Sequence, residues 1–138
     1  MAFEFRLRVY YEDTDAGGIV YYANYLKFIE RARTEALLSL GLSQTVLRER
    51  HGVLFVVREV QLRYLAPARL EDQLVVTAAV TRLGGASVEM AQEVTRGAEV
   101  LARCRIRLAC LGRDGRPARI PEALRGALAG LRRGCDAP

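Results

Sequence analysis

The chain has no tryptophan, one lysine (Lys27), one histidine (His51), and three cysteines with no CxxC spacing. A lone histidine and no Cys/His cluster leave nothing to ligate zinc, so neither a metal nor a cofactor is expected. Cys104, Cys110 and Cys135 are odd in number. Cys104 and Cys110 share one face of a strand-like stretch, and the three read as buried, reduced thiols. Ser39, Ser43 and Ser87 are the serines, and none stands in a GxSxG context, which argues against a serine triad. Apolar runs such as Val53–Val57 fall far short of the roughly 20 residues that a membrane-spanning helix needs. The opening Met1-Ala2-Phe3-Glu4-Phe5-Arg6 shows no basic segment leading into an apolar stretch, so no signal peptide is expected and a cytoplasmic location is.

What is present is an ordinary globular composition, 51% hydrophobic and 27% charged, in 138 residues. That is enough chain for one domain with a real core, and no linker, repeat or low-complexity segment divides residues 1–138. The formal charge of +5 comes almost wholly from arginine. Arginine suits a phosphorylated ligand, a nucleic acid or an anionic membrane alike, so charge alone does not choose. The tyrosines cluster around residues 10–25 and do not line a basic strand face, so nucleic acid is not expected.

Hydrophobic periodicity divides the chain into elements. Phe3, Phe5, Leu7 and Val9 alternate with charged residues, which predicts a strand over Glu4–Tyr10. Glu12–Gly18 is polar and glycine-rich and reads as a loop. Tyr22, Tyr25, Ile29, Ala32, Ala36 and Leu40 recur at three and four, which predicts a long helix with Asn24 as N-cap and Gly41 as stop. From Val53 the period becomes two. Strands follow over Leu54–Leu65, Gln73–Leu83, Ser87–Arg96 and Glu99–Leu111, read as an antiparallel meander of four successive strands. Pro121 and Glu122 open a short terminal helix with Leu124, Leu128 and Leu131 on one face. The fold class is therefore α+β, a five-stranded antiparallel sheet curled around one central helix. One helix covers one sheet face, so pairing of edge strands into at least a dimer is expected.

The chemistry concentrates in residues 9–35. Acidic residues and the pair Gly17-Gly18 stand directly before a helix N-terminus, whose open N–H groups and positive dipole end suit a carbonyl oxygen gaining negative charge. A nearby carboxylate supplies a nucleophile or a base, and in its charged form either role is open. The plainer alternative is that Asp13 and Asp15 only favour the dipole and that Gly17-Gly18 is only a turn. His51 reads as a loop histidine, Glu59 as a surface residue, and Glu30 and Glu35 as partners of Arg31 and Arg33 in ion pairs. Arg103, Arg105 and Arg107 read as a solvated strand face or as a subunit or phosphate contact.

The run Asp13-Thr14-Asp15-Ala16-Gly17-Gly18-Ile19-Val20-Tyr21-Tyr22-Ala23-Asn24-Tyr25, with Glu30–Glu35 and Arg63–Asp72 after it, resembles the 4-hydroxybenzoyl-CoA thioesterase family. The nearest branch is the YbgC-type acyl-CoA thioesterases encoded with the Tol-Pal envelope system, and the likeness spans roughly residues 5–111. The resemblance implies a hotdog fold, an active site at a dimer interface, and often a homotetramer of paired dimers. It implies Asp15 as catalytic carboxylate, the Tyr22 backbone N–H as the group polarising the thioester carbonyl, and Tyr11 as a supporting group. Gly17, Gly18 and Ile19 would then line the substrate. The chain departs from the pattern twice. Tyr22 stands where many YbgC-type proteins carry histidine, and the stretch Leu83–Ala86 lacks a basic cluster found in some members, leaving Arg82 as the phosphate contact. The carrier is thus open between CoA and acyl carrier protein. A non-catalytic hotdog adaptor at the membrane surface is the alternative, kept by the basic terminal helix. A hotdog dehydratase would need a histidine paired with a carboxylate, for which His51 is badly placed.

Overall fold

The computed structural model describes residues 2–132. Its strands are β1 (Phe3–Arg8), β2 (Val53–Tyr64), β3 (Gln73–Leu83), β4 (Ser87–Arg96) and β5 (Glu99–Gly112), and its helices α1 (Asn24–Ser39), α2 (Gln44–Val46) and α3 (Glu122–Ala129). All pairings are antiparallel, in the order β1-β3-β4-β5-β2. The expected five strands and central helix are all there, but the four-strand meander is not. Only β3, β4 and β5 follow one another through tight turns. Residues 65–72 form a longer, proline-containing connection that carries the chain across the sheet, so β2 pairs with β5 and not with its successor.

Helix α1 forms because its apolar positions share a face: Tyr25, Phe28, Ile29, Ala32, Ala36 and Leu37 are buried. At 1.5 Å per residue it runs about 24 Å. It ends in a Schellman motif. Gly41 takes φ +78°, its N–H reaches the Leu38 carbonyl (2.9 Å), and Leu42 N–H reaches that of Leu37 (2.9 Å). Asn24 is not the cap. It is the first helical residue, Ala23 precedes it without a side-chain cap, and the Asn24 amide instead donates to the Asp13 carbonyl (2.9 Å).

The helix packs on β1, β3 and β4. Beneath it lies Gln92, almost fully buried, whose Nε2 donates to the carbonyls of Ile29 (2.9 Å) and Thr77 (3.2 Å). Gln92 Oε1 accepts from Arg33 (3.1 Å), and burial lowers the Arg33 pKa. Arg33 thus points inward, and the expected ion pairs do not form: Glu30 accepts from the Thr34 hydroxyl, and neither Glu30 nor Glu35 pairs with Arg31 or Arg33 among the described residues. Cys104 and Cys110 are buried and free, burial pushing the Cys104 thiol up to about 11 and Cys110 upward too, so neither is a reactive thiolate. Cys135 lies outside the described residues.

The helix leaves β2 bare. Val57, Val60, Leu62 and Tyr64 stand opposite Leu108, Ile106, Cys104 and Ala102 of β5, so they share the core-facing side of the sheet. Yet Val57, Val60 and Tyr64 are 46%, 40% and 45% exposed. On the opposite side the arginine row is tied across strands, Arg103 to Glu93 (3.0 Å) and Arg107 to Glu89 (3.7 Å) and Glu59 (4.0 Å). Leu124, Leu128 and Leu131 are buried, so α3 has spent its apolar stripe on its own domain. His51 ends a π-helical turn, Leu47–His51, that continues α2; the loop expected there is helical.

The connection before β3 is held by Asp72. Its carboxylate accepts from the Arg69 N–H (2.8 Å) and from Arg96 (2.6 Å), which also binds Glu99 (2.7 Å). Burial pushes its pKa up, but the Arg69 N–H and the Arg96 guanidinium outweigh that and hold it below the usual carboxylate range. A carboxylate depressed in the folded state contributes stability above about pH 4, and that contribution is lost as pH falls through its folded pKa. The melting temperature should therefore drop more steeply below about pH 4 in the wild type than in Asp72→Asn. Parallel profiles would remove Asp72 from that role.

Candidate functional site

Past β1 the chain makes one 3-10 turn, Tyr11–Asp13, and then a small hairpin. Asp13 and Tyr21 are joined by Tyr21 N–H to Asp13 carbonyl (3.0 Å), Thr14 pairs with Val20, and Asp15 N–H donates to the Ile19 carbonyl (2.9 Å). The tip closes when Gly18 N–H reaches the Asp15 carbonyl (3.1 Å), and Gly18 sits at φ +79°, where a side chain would be strained. Gly17 N–H donates to Asp15 Oδ1 (2.8 Å), and a Cβ on Gly17 would press to 3.3 Å from that oxygen. Asp15 Oδ2 has no hydrogen-bond partner among the described residues. The carboxylate is exposed, held at one oxygen and open at the other.

The second arm of the hairpin runs straight into α1. Tyr21 carbonyl accepts from Asn24 N–H (2.8 Å), and Asp13 carbonyl accepts from both Tyr21 N–H and the Asn24 side chain. One carbonyl thus clamps the aspartate arm to the start of the helix. The N–H groups of Tyr22 and Ala23 have no acceptor among the described residues. The fold therefore brings Asp15, Gly17, Gly18, Ile19 and the Tyr22 N–H into one hairpin and its continuation.

Two expected site residues stand elsewhere or apart. Tyr11 is 83% exposed, and only its carbonyl is engaged, by Thr14 N–H (3.1 Å) and hydroxyl (2.8 Å). Arg82 lies at the far end of β3, beside Glu89 (3.9 Å), whereas the Asp15 hairpin is tied to the near end through Ile19–Arg69 pairing and Leu70 N–H to Gly18 carbonyl (3.2 Å). At about 3.3 Å per residue β3 separates the two by roughly 30 Å, so a single chain does not bring Arg82 to Asp15.

Sequence reasoning missed three neighbours. Tyr64, on the uncovered side of β2, donates its hydroxyl to the Tyr22 carbonyl (2.9 Å) and meets the rings of Tyr22 and Tyr25 edge-on, at 6.3 and 5.2 Å. Burial, and then the adjacent Tyr22 and Tyr25, push its phenol pKa upward, so it remains a protonated donor. Tyr25 accepts from Ala68 N–H (2.9 Å), and Ala68 carbonyl accepts from Val20 N–H (2.9 Å). The available signal was a phenol at a core-facing strand position, which requires a partner for its hydroxyl.

Comparison with known proteins identifies the family. Residues 17–103 match the family model of the thioesterase superfamily. The chain is 41% identical over 127 residues to the acyl-CoA thioesterase YbgC of Haemophilus influenzae, covering 91% of this chain and 93% of that protein. It is 45% identical over 109 residues to the acyl-CoA thioester hydrolase YbgC of Escherichia coli O157:H7, covering 74% and 81%. Among solved structures, a probable thioesterase from Bartonella henselae superposes with a TM-score of 0.82 at 34% identity, covering 88% of this chain and all of that one. A five-stranded antiparallel sheet around one long helix, with this motif at the helix start and these relatives, makes the chain a hotdog-fold member of the thioesterase superfamily.

Proposed function

We propose that this chain is an acyl-CoA thioesterase, hydrolysing a thioester to free acid and CoA with Asp15 as the reacting carboxylate. The observation that carries the reading is the Asp13 carbonyl clamp, which ties the hairpin bearing a half-open carboxylate to the helix start and its N–H without an acceptor among the described residues. In this reading the Tyr22 N–H donates to the thioester carbonyl oxygen, and the donation strengthens as that oxygen becomes an oxyanion. One such donor accounts for about 10²–10³ in rate.

Asp15 Oδ2 then attacks the carbonyl carbon, the C–S bond breaks, and CoA leaves as thiolate. Water adds to the acyl carbon of the resulting mixed anhydride, the Asp15 carboxylate leaves, and the water's second proton goes to the CoA thiolate, giving the free acid and CoA. Gly17 holds one oxygen and leaves the other free to approach, as direct attack requires. The reading assigns no role to an imidazole, since Tyr22 occupies the position of the histidine common in YbgC-type proteins and His51 ends the π-helical turn after α2.

The site calls for a second subunit. Tyr21, Tyr22 and Tyr64 are exposed beside it in one run of ring contacts, with Tyr64 on the bare side of β2. Pairing of two β2 edges would cover that apolar side and close a pocket over Asp15. Among the described residues no helix is long and apolar enough to cross a membrane. With its leucines buried, α3 offers no stripe to a bilayer, which favours a cytoplasmic enzyme over a membrane-surface adaptor.

The test is hydrolysis of a panel of butyryl-CoA, palmitoyl-CoA, benzoyl-CoA and an acyl carrier protein thioester. At least one CoA thioester should turn over well above its background rate. No turnover across the panel, together with sedimentation on anionic vesicles, would transfer the assignment to the adaptor.

A further inference from the structure

The Tyr22 residue is held from both sides, and only one of the two holds comes from its own helix. Its N–H belongs to the peptide whose carbonyl, on Tyr21, accepts from Asn24 N–H (2.8 Å). Its own carbonyl accepts a long first-turn bond from Tyr25 N–H (3.4 Å) and a shorter one from the Tyr64 hydroxyl (2.9 Å). A contact of 3.4 Å is weak by the standards of N–H···O bonds, so the phenol is the stronger constraint on that carbonyl. Tyr64 ends β2, directly before the connection 65–72 that Tyr25 anchors at Ala68. The hydroxyl, the two edge-on ring contacts and the Ala68 bond together tie the helix start to the end of β2 and to the connection that follows it.

From this geometry we infer that Tyr64 is a positioning residue for the thioester reaction, its hydroxyl fixing the Tyr22 backbone so that the open N–H is aimed before substrate arrives. The inference rests on the reading of Tyr22 N–H as carbonyl donor. A donor catalyses only when it already lies where charge will develop, and small displacements at such a position cost much of its effect. Without the phenol, Tyr22 would be restrained on its carbonyl side only by the 3.4 Å bond, and the first turn of α1 has no side-chain cap to compensate. The hydroxyl also draws the ring of Tyr64 over Tyr22, at the boundary between α1 and the uncovered side of β2.

Tyr64→Phe deletes the hydroxyl and keeps the ring. With the fastest CoA thioester of the panel, kcat should fall about ten-fold while KM stays within about two-fold, since one neutral hydrogen bond is lost in a step that matters most at the transition state. A second readout separates positioning from folding. The carbon-13-labelled ketone analogue of that thioester, with CH2 in place of sulfur, cannot be hydrolysed. Its bound C=O stretch should lie below the solution value in wild type and return toward it in Tyr64→Phe, at unchanged melting temperature. Unchanged kcat overturns the inference, and so does a slower enzyme whose bound carbonyl stretch matches wild type. The parent reading is judged separately through Asp15→Asn. An inert Asp15→Asn beside a fully active Tyr64→Phe defeats the inference alone. An active Asp15→Asn defeats the carboxylate's role and leaves the ketone measurement to decide Tyr64.

Discussion

Asp15→Asn should lower kcat by about 10²-fold or more while the protein melts at its usual temperature. The substitution is nearly isosteric. The asparagine carbonyl still accepts the Gly17 N–H that now binds Oδ1 at 2.8 Å, and the hairpin bonds of Asp15 N–H and carbonyl belong to the backbone. What disappears is the negative charge on the open oxygen, and with it both nucleophilic attack and proton abstraction. Binding should change little, because the Tyr22 N–H and the turn remain, so the loss belongs in kcat with KM close to wild type. Steady-state kinetics on the fastest panel thioester, with thermal melting as control, checks both halves. Wild-type turnover in the variant would restrict Asp15 to the local turn that its Gly17 bond already makes.

The second large effect concerns the bare side of β2. On the proposed pairing of β2 edges, Val60→Asp should lower the solution mass toward the 15.4 kDa of one chain, and should cost at least about ten-fold in activity. Val60 is 40% exposed in the isolated subunit, so a carboxylate there stays hydrated and leaves the subunit fold intact. Within a two-fold contact on this side of β2 the same carboxylate would be taken out of water among the apolar side chains Val57 and Leu62 that share its face. Light scattering gives the mass, and circular dichroism checks that the subunit stays folded. A dimer that persists would place the contact elsewhere. A monomer with full activity would show that Asp15 needs no second subunit.

Much of this architecture was legible because each element carried its own period. Strands β3 to β5 alternate over most of their length, and their short turns Gly84-Gly85-Ala86 and Gly97-Ala98 leave only hairpin pairing open. The placement of β2 was not legible. Its pattern is as good as that of its neighbours, and only the length of residues 65–72 hints that it crosses to the far edge. Asn24 misled in the same way. As a cap it would have served its own helix, but an amide at the first helical position serves the Asp13 carbonyl and so builds the site. Glu30 and Arg33 have the spacing of an ion pair, yet burial of Gln92 beneath the helix draws the guanidinium inward.

At the site, the motif around Asp15 and the helix start were readable from spacing and resemblance. The half-held carboxylate and the phenol from β2 were not, since both depend on contacts between residues far apart in the chain or on the turn's hydrogen bonds. Arg82 came from the resemblance, as the residue left where some members carry a basic cluster, and that likeness does not say how far along β3 it stands from Asp15 within one chain.

The most direct test of the central claim is a crystal structure with a non-hydrolysable thioester analogue bound. The account predicts its carbonyl oxygen about 3 Å from the Tyr22 nitrogen and its carbonyl carbon within about 3.5 Å of the Asp15 carboxylate. A carbonyl seated away from the helix start, with Asp15 turned to solvent, would contradict it.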